Sequence, residues 1–382
     1  MRSYFLLPVA LLLLVLGLCS CIAPKPVVPA NPLGVRITPT NNLLRVELNG
    51  KLFTEYHYQN VPRPFCYPLL GPGGVAMTRN FPMASPPGEE HDHPHHRSFW
   101  YGHEPVNGVD FWAERAESGK VVHRGFVDIS SGVNTGLIKT LNDWVDAKGK
   151  VLCTSENTLR FYAPTNGPVI FDFEITLKAT HGEVTFGDSK EGSFAFRVAE
   201  TMRLRLPAEK GKPAQAGAGH VVLSTGERDD GASAAAAKDA KREAGTWGKR
   251  AAWCDYYGPV DGQIVGIAIL DHPSNPRHPT WWMVRDYGLF AANPFGQHMF
   301  EGLKNERAGD LKIPAGQSVT FRYRVVLHES STAIRPTRTL PKIPANPKRR
   351  VDVMNAHPNR SRSRLSKSPS LLKTVDSSPP TL

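Results

Sequence analysis

Apolar residues recurring at every second position, in one stretch after another, restrict this chain more than any other feature of it. Leu44-Arg-Val-Glu-Leu48 leads through Asn49-Gly50 into Lys51-Leu-Phe-Thr-Glu-Tyr56, and Asn-Gly supplies the positive φ of a two-residue hairpin turn. The stretches 170–177, 193–206 and 319–327 alternate in the same way, so each is expected to form a strand with one buried face. Residues 263–270 are nearly all apolar, which predicts a strand buried on both faces. Helical periodicity is confined to 229–243, where Ala234–Ala237 lies in a low-complexity insertion over 208–246. Short strands, frequent Gly and Pro, and no strand–helix–strand rhythm predict an all-β chain with few helices, built as a large β-sandwich over 35–330.

The two ends read differently from this body. Met1-Arg2 precedes an apolar run from Phe5 to Leu18, interrupted by Pro8. Such a run suits a signal peptide and is shorter than the ~20 residues that span a bilayer. It stops at Leu18-Cys-Ser-Cys21, the pattern of a lipobox with Cys21 as the acylated residue. Residues 1–21 are therefore expected to be a lipoprotein signal and 22–34, rich in Pro and Ala, a tether; cleavage after Ala23 or Ala30 without lipid is the alternative. Either places the mature protein in the cell envelope or periplasm, touching the membrane through a lipid anchor only. The chain carries +11, but residues 331–382 hold 11 Lys/Arg against Asp352 and Asp376, a net +9 that leaves +2 for 1–330. The basic character thus belongs to a tail expected to be disordered, and no nucleic-acid partner is expected. Beyond Cys19 and Cys21 only Cys66, Cys153 and Cys254 remain, too few for a disulfide framework and without metal-type spacing.

Four blocks are richer in polar and aromatic residues than turns require. They are Glu90-His-Asp-His-Pro-His-His-Arg-Ser-Phe-Trp-Tyr-Gly-His103 with Val106-Asn-Gly-Val-Asp-Phe-Trp112, then 186–193, then Trp253-Cys-Asp-Tyr-Tyr-Gly-Pro259, then 271–277 with Trp281-Trp282 and 285–296. In order and spacing these blocks resemble a bacterial PmoA-like family, catalogued as "methane oxygenase PmoA" and as a domain of unknown function. The resemblance covers about 44–330, with Met283 standing where a His is expected. It implies an oxygenase by name, and by architecture the large β-sandwich of sugar-processing enzymes, as in galactose-mutarotase-type folds.

The blocks support three kinds of chemistry. An extended 91–96 segment would turn His91, His93 and His95 to one side and Asp92 and His96 to the other. His93 and His95 could then chelate a metal, although Pro94 interrupts the strand; the cofactor stays unknown, with a divalent metal open. Acids recur beside aromatics in separate blocks, and sugar acid–base chemistry needs two convergent ionisable groups. His93, His96, Asp110, Glu191, Asp255 and His272 are the catalytic candidates. Arg97, Arg277 and Arg285 are placed to hold hydroxyl or carboxylate groups. Trp100 and Trp281 offer indole faces to a pyranose, and His103, Asn107, Lys190, Tyr256 and Asn293 offer polar contacts. The leading reading is an enzyme that hydrolyses, eliminates or isomerises a glycan or small sugar. The others are a metal-dependent oxygenase and a non-catalytic glycan-binding lipoprotein.

Replacing the cysteine that closes the apolar run, Cys21→Ser, is expected to abolish acylation and release the protein from membranes. Unchanged mass and membrane association would leave ordinary signal cleavage as the account.

Overall fold

The hairpin at Asn49-Gly50 forms as its chemistry requires. Leu43–Leu48 and Lys51–His57 pair antiparallel, and both turn residues take positive φ, 49° and 78°, which Gly allows freely and Asn tolerates. The computed structural model of the protein describes residues 33–207, 215–236 and 245–329. The signal, Cys21, most of the tether, the basic tail and parts of the 208–246 insertion lie outside the described residues.

Among the described residues every strand pairing is antiparallel, and two large sheets dominate. The eight-stranded sheet runs, in spatial order, Val35–Pro39, Leu43–Leu48, Lys51–His57, Phe65–Leu69, Phe99–His103, Gly192–Arg197, Leu289–Asn293 and Trp281–Val284. The nine-stranded sheet runs Arg228–Asp230, His220–Leu223, Trp253–Val260, Gln263–Asp271, Ser318–Glu329, Val169–Lys178, Val151–Tyr162, Thr135–Val145 and Lys120–Ser130. Two-stranded ladders join Val184–Phe186 to Leu311–Ile313 and Arg205–Leu206 to Gln215–Ala216. The α-helices among the described residues are two short pieces, Gly231–Ala236 and Gln297–Glu301. No helix among them is long and apolar enough to cross a membrane.

The sheets face each other through aromatic rings, as a β-sandwich should. Phe53 meets Phe161 and Phe171 at centroid distances of 5.9 Å. Phe99 lies 5.4 Å from Phe171, and Phe194 lies 4.9 Å from Phe173 and 4.5 Å from Tyr323. Burial of each such ring contributes about 1.5–3 kcal/mol. Cys66, Cys153 and Cys254 are free, buried thiols.

One strand departs from the sequence expectation. The 193–206 stretch does not run as a single half-buried strand. It is extended only over Gly192–Arg197, where every residue is buried, then turns through a 3-10 helix at Glu200–Met202 before Arg205–Leu206. The reason is a second layer on the outer face of the eight-stranded sheet. Phe194 and Phe196 point into the sandwich, while Ala195 joins Phe65, Trp100, Trp112, Met283, Leu289 and Ala291 in a separate apolar cluster. That outer cluster carries the site. The crossover that sets Gly192–Arg197 beside Phe99–His103, with Gly192 opposite His103 and Phe196 opposite Phe99, brings blocks about ninety residues apart onto it.

Candidate functional site

The His-rich loop over 89–98 has no regular secondary structure, so its backbone groups need partners from elsewhere. Buried arginines supply them. Arg63 donates to the carbonyls of His95 (2.9 Å), Trp112 (2.7 Å) and Phe111 (3.2 Å). Arg79 donates to the carbonyls of Asp92 and His93, both at 3.0 Å, and pairs with the Asp92 carboxylate. Arg197, at the end of its strand, reaches both Asp92 oxygens at 2.8 and 3.1 Å. Arg203 holds Glu90 at 2.6 Å, and Glu89 caps the backbone N–H groups of Asn80 and Phe81.

Asp92 is the centre of this arrangement. Burial opposes its ionisation, but the hydrogen bond from His93 and the guanidiniums of Arg197 and Arg79 outweigh it and hold the carboxyl well below the usual range. Its Oδ2 accepts from Nδ1 of His93 at 2.5 Å, which leaves Nε2 of that ring as the nitrogen able to take a proton. His93, at φ 42°, stacks on His96 (4.7 Å, 7°) and on Tyr287 (5.0 Å, 11°). His96 in turn lies on Trp100 at 5.3 Å. Arg197 donates to Nδ1 of His96 at 3.2 Å, so the neutral ring carries its proton on Nε2. Complete burial, and then the Arg197 charge, keep His96 well below its ordinary pKa. Burial, with Arg63 and His93 nearby, pushes His95 down to about 3.

The opposite wall is set by Asn293. Its amide donates to the carbonyls of Ser189 and Lys190 (2.9 and 3.0 Å), the Glu191 N–H donates to Ser189 Oγ, and Glu104 N–H donates to the Glu191 carbonyl. Glu191 is thereby fixed beside Glu104. Burial raises both carboxyls above their ordinary value; Asp110 and Glu191 add to this at Glu104, whereas Lys190 and Arg285 oppose it at Glu191. The two walls enclose a cavity of about 410 Å³ lined by His93, His95, His96, Glu104, Trp112, Ala113, Arg115, Lys190, Glu191, Arg285 and Tyr287. That volume lies within the roughly 300–1,000 Å³ of small-molecule sites.

Of the residues singled out from sequence, His93, His95, His96, Lys190, Glu191 and Arg285 meet here. Asp110 lies behind the lining, its oxygens taken by the N–H groups of Trp112 and Ala113 and by the Ser118 hydroxyl. Asp255 is buried in the other sheet, 3.0 Å from His328. His272 bonds Ser274 in an exposed turn. Arg97 makes a three-bond pair with Glu114, and Arg277 is spent on the carbonyls of Pro294, Gly309 and Asp310. His103 is buried, bonded through Nε2 to the Gly187 carbonyl; Asn107 bridges to Thr185 and Glu183. The Tyr256 hydroxyl accepts from Leu204 N–H inside the core, and Trp281 is a buried partner of Glu301. Of the indoles only Trp112 lines the cavity, and Trp100, Trp281 and Trp282 are buried away from its lining. Glu104, Arg115 and Tyr287, with Trp112 and Ala113, complete the lining; the first three were not anticipated, although Glu104 and Tyr287 fall within or between the blocks.

The expected alternation of the His residues also gives way. His91 stacks on Phe81 away from the cavity, while His93, His95 and His96 sit together, because positive φ at His93 and a turn closed by His96 N–H on the His93 carbonyl replace an extended segment. Arg197 occupies the acceptor nitrogen of His96, whereas Asp92 on Nδ1 of His93 leaves Nε2 of that ring available. Among the described residues no group of three His, Cys, Asp or Glu is arranged to hold one.

Residues 44–338 match a family of unknown function, DUF6807, and the chain belongs to that family. The match overturns the PmoA-like resemblance, for which nothing else speaks, and leaves the oxygenase reading without the family name that suggested it. No curated protein matches the chain. Among solved structures, a TPR-domain containing protein from Parabacteroides distasonis ATCC 8503 aligns at 9% identity and a TM-score of 0.21, over 81% of this chain and 50% of that one. The chain spans half the length of that neighbour, and a TM-score so low carries no argument.

The ionic knot has a measurable consequence. Asp92→Ala leaves two guanidiniums, whose side chains are 0% exposed, without their carboxylate, and is expected to cost about 3–5 kcal/mol in denaturant unfolding. Glu47→Ala, which breaks a half-exposed pair with Arg45, is expected to cost under about 1 kcal/mol. Equal losses would show that the knot does not hold the loop.

Proposed function

We propose that this DUF6807 member is an exported enzyme acting on a carbohydrate by acid–base chemistry, with Glu191 as proton donor and the Asp92-oriented His93 as proton acceptor. One observation carries the reading: a single cavity sets Glu191 and Glu104, carboxyls biased toward their protonated form, against a His cluster in which His95 and His96 are biased toward the neutral form and Asp92 bonds Nδ1 of His93, leaving its Nε2 to accept a proton. In water near pH 6 the ordinary values place these groups the other way round, with the carboxyl ionised and much of the imidazole charged. Environments that push paired groups apart in this manner assign acid and base roles.

The proton path follows from the hydrogen bonds. Glu191, half-buried and fixed through its backbone, would donate to a departing or carbonyl oxygen of the sugar. His93 would accept a proton through Nε2, from water for hydrolysis or from carbon for elimination or epimerisation. Asp92 fixes the tautomer and carries the compensating charge as the imidazolium forms. Nε2–H of His96 supplies a hydrogen-bond donor beside them. Lys190, Arg115 and Arg285 line the cavity and would orient polar groups of the sugar. A sugar-processing role also suits the β-sandwich, by analogy of architecture.

Activity requires the protonated carboxyl, so the rate is expected to fall as pH rises through the raised pKa of Glu191. Glu191→Gln is expected to lower kcat by roughly 10²–10⁴-fold and remove that alkaline limb, with folding preserved and chelators without effect. The readout is turnover of glycoside and reducing-end sugar panels across pH. Binding without turnover in every panel would leave a glycan-binding protein instead, and an unchanged kcat in the variant would remove Glu191 from the mechanism.

A further inference from the structure

We propose that Glu104 and Glu191 form an acid pair that keeps one proton between two carboxyls, with Glu104 as the positioning residue that holds Glu191 able to donate it; the inference rests on the acid–base reading above and deepens it. The two residues face each other across a ladder. Phe99–His103 and Gly192–Arg197 pair antiparallel with His103 opposite Gly192. The next pair outward is Glu104 opposite Glu191, joined by the Glu104 N–H on the Glu191 carbonyl at 3.0 Å. Both side chains line the cavity. Like charges set directly opposite across a ladder repel, and they repel more strongly where protein walls replace water.

The surrounding charges leave that conflict in place, because they are divided unequally between the two. Lys190 Nζ lies 3.9 Å from Glu191 Oε1, and Arg285 and a protonated His93 act on the same carboxyl. Glu104 feels one cation, Arg115, against two acids, Asp110 and Glu191. Asp110 offers it no proton donor, since its oxygens accept from the N–H groups of Trp112 and Ala113 and from the Ser118 hydroxyl. His95 and His96, held toward the neutral form, add no positive charge. Among the described residues no hydrogen bond or ion pair reaches the Glu104 carboxyl.

Cations therefore gather at Glu191 and acids at Glu104. The first carboxyl of such a pair to ionise holds the remaining proton on the pair, and both steps belong to the two residues jointly. Burial works in the same direction at each. When Glu191 passes the pair's proton to a sugar oxygen, both carboxyls are left ionised. His93 meanwhile gains the proton taken from water or carbon. One proton leaves the pair as one arrives at His93, so the charge of the cavity is unchanged. The renewed repulsion between the carboxyls draws a proton back to the pair for the next turnover.

Carboxyl ¹³C NMR of the whole protein, labelled at glutamate and followed over about pH 3.5–9, tests the pair without a substrate. Glu104→Gln and Glu191→Gln, which keep side-chain shape at half-buried positions, assign the two signals and remove one member each. Two separated steps are expected in the unsubstituted protein. In each variant the surviving carboxyl should titrate at least about one pH unit below the upper of those steps. Turnover supplies the second arm: Glu104→Gln should carry the alkaline limb of kcat to lower pH, and Glu104→Asp should move it back. A surviving carboxyl that keeps the upper step in both variants would overturn the pair. So would a kcat that falls at every pH with the limb unmoved. Coupled steps in a protein that turns over no sugar would leave the pair standing and overturn the carbohydrate reading, and uncoupled steps in an active enzyme would do the reverse.

Discussion

A single carboxylate shared by two buried guanidiniums holds the loop that forms one wall of the candidate site. Arg79 and Arg197 have no exposed side-chain surface, and Asp92 lies between them. Removing an arginine from water costs several kcal/mol unless its charge is matched and its N–H groups bonded. Here the matching group sits on the loop itself, so the loop cannot leave without stranding two charges. Arg63 repeats the principle, paired with Glu114 and bonding three backbone carbonyls. A segment without helix or strand is thus held by side chains that penetrate it from the sheet below.

That method of holding the loop also sets its chemistry. Imidazoles placed over buried guanidiniums are discouraged from taking a proton, first by burial and then by charge, as at His96 and His95. Asp92 is the exception built into the arrangement: clamped as an anion, it accepts a hydrogen bond from Nδ1–H of His93 and leaves the other nitrogen of that ring to accept a proton. Across the cavity Glu191 and Glu104 meet the opposite condition, being partly enclosed and close to one another. Structural ion pairing and acid–base poise are one arrangement seen from two sides. The stack of His93, His96 and Tyr287 on the outer face of the sheet gives it a rigid base.

Much of the sandwich was legible because its signals are local. Asn49-Gly50 and the alternating strands carry their own geometry, and burial on both faces at Val265–Ile269 follows from an unbroken apolar run. The site was legible in outline: the His block, Lys190-Glu191 and the Arg285 turn stand out by composition. What could not be read is which polar groups are already used. Asp110, Asp255, Arg97 and Arg277 look free in sequence, and each is bound by a partner 8 to 73 residues away. Arg63, Arg79 and Arg197 were overlooked for the converse reason, since an arginine reads as surface. One clue existed: Ser193-Phe-Ala-Phe-Arg197 ends an apolar strand in a charge that a buried sheet must match. The tryptophans misled because a thick sandwich absorbs indoles as readily as a sugar site does.

Side-chain imidazole NMR of the intact, ¹⁵N-labelled protein at pH 7 tests the central claim most directly, because it reads which nitrogen of each ring holds a proton. The arginine-clamped loop requires opposite tautomers in two stacked rings: His93 with its proton on Nδ1, bonded to Asp92, and His96 with its proton on Nε2 alone. Two such patterns, with His96 still singly protonated as the sample is acidified toward pH 5, are the expected result. A doubly protonated His96, or the same tautomer in both rings, would contradict the account.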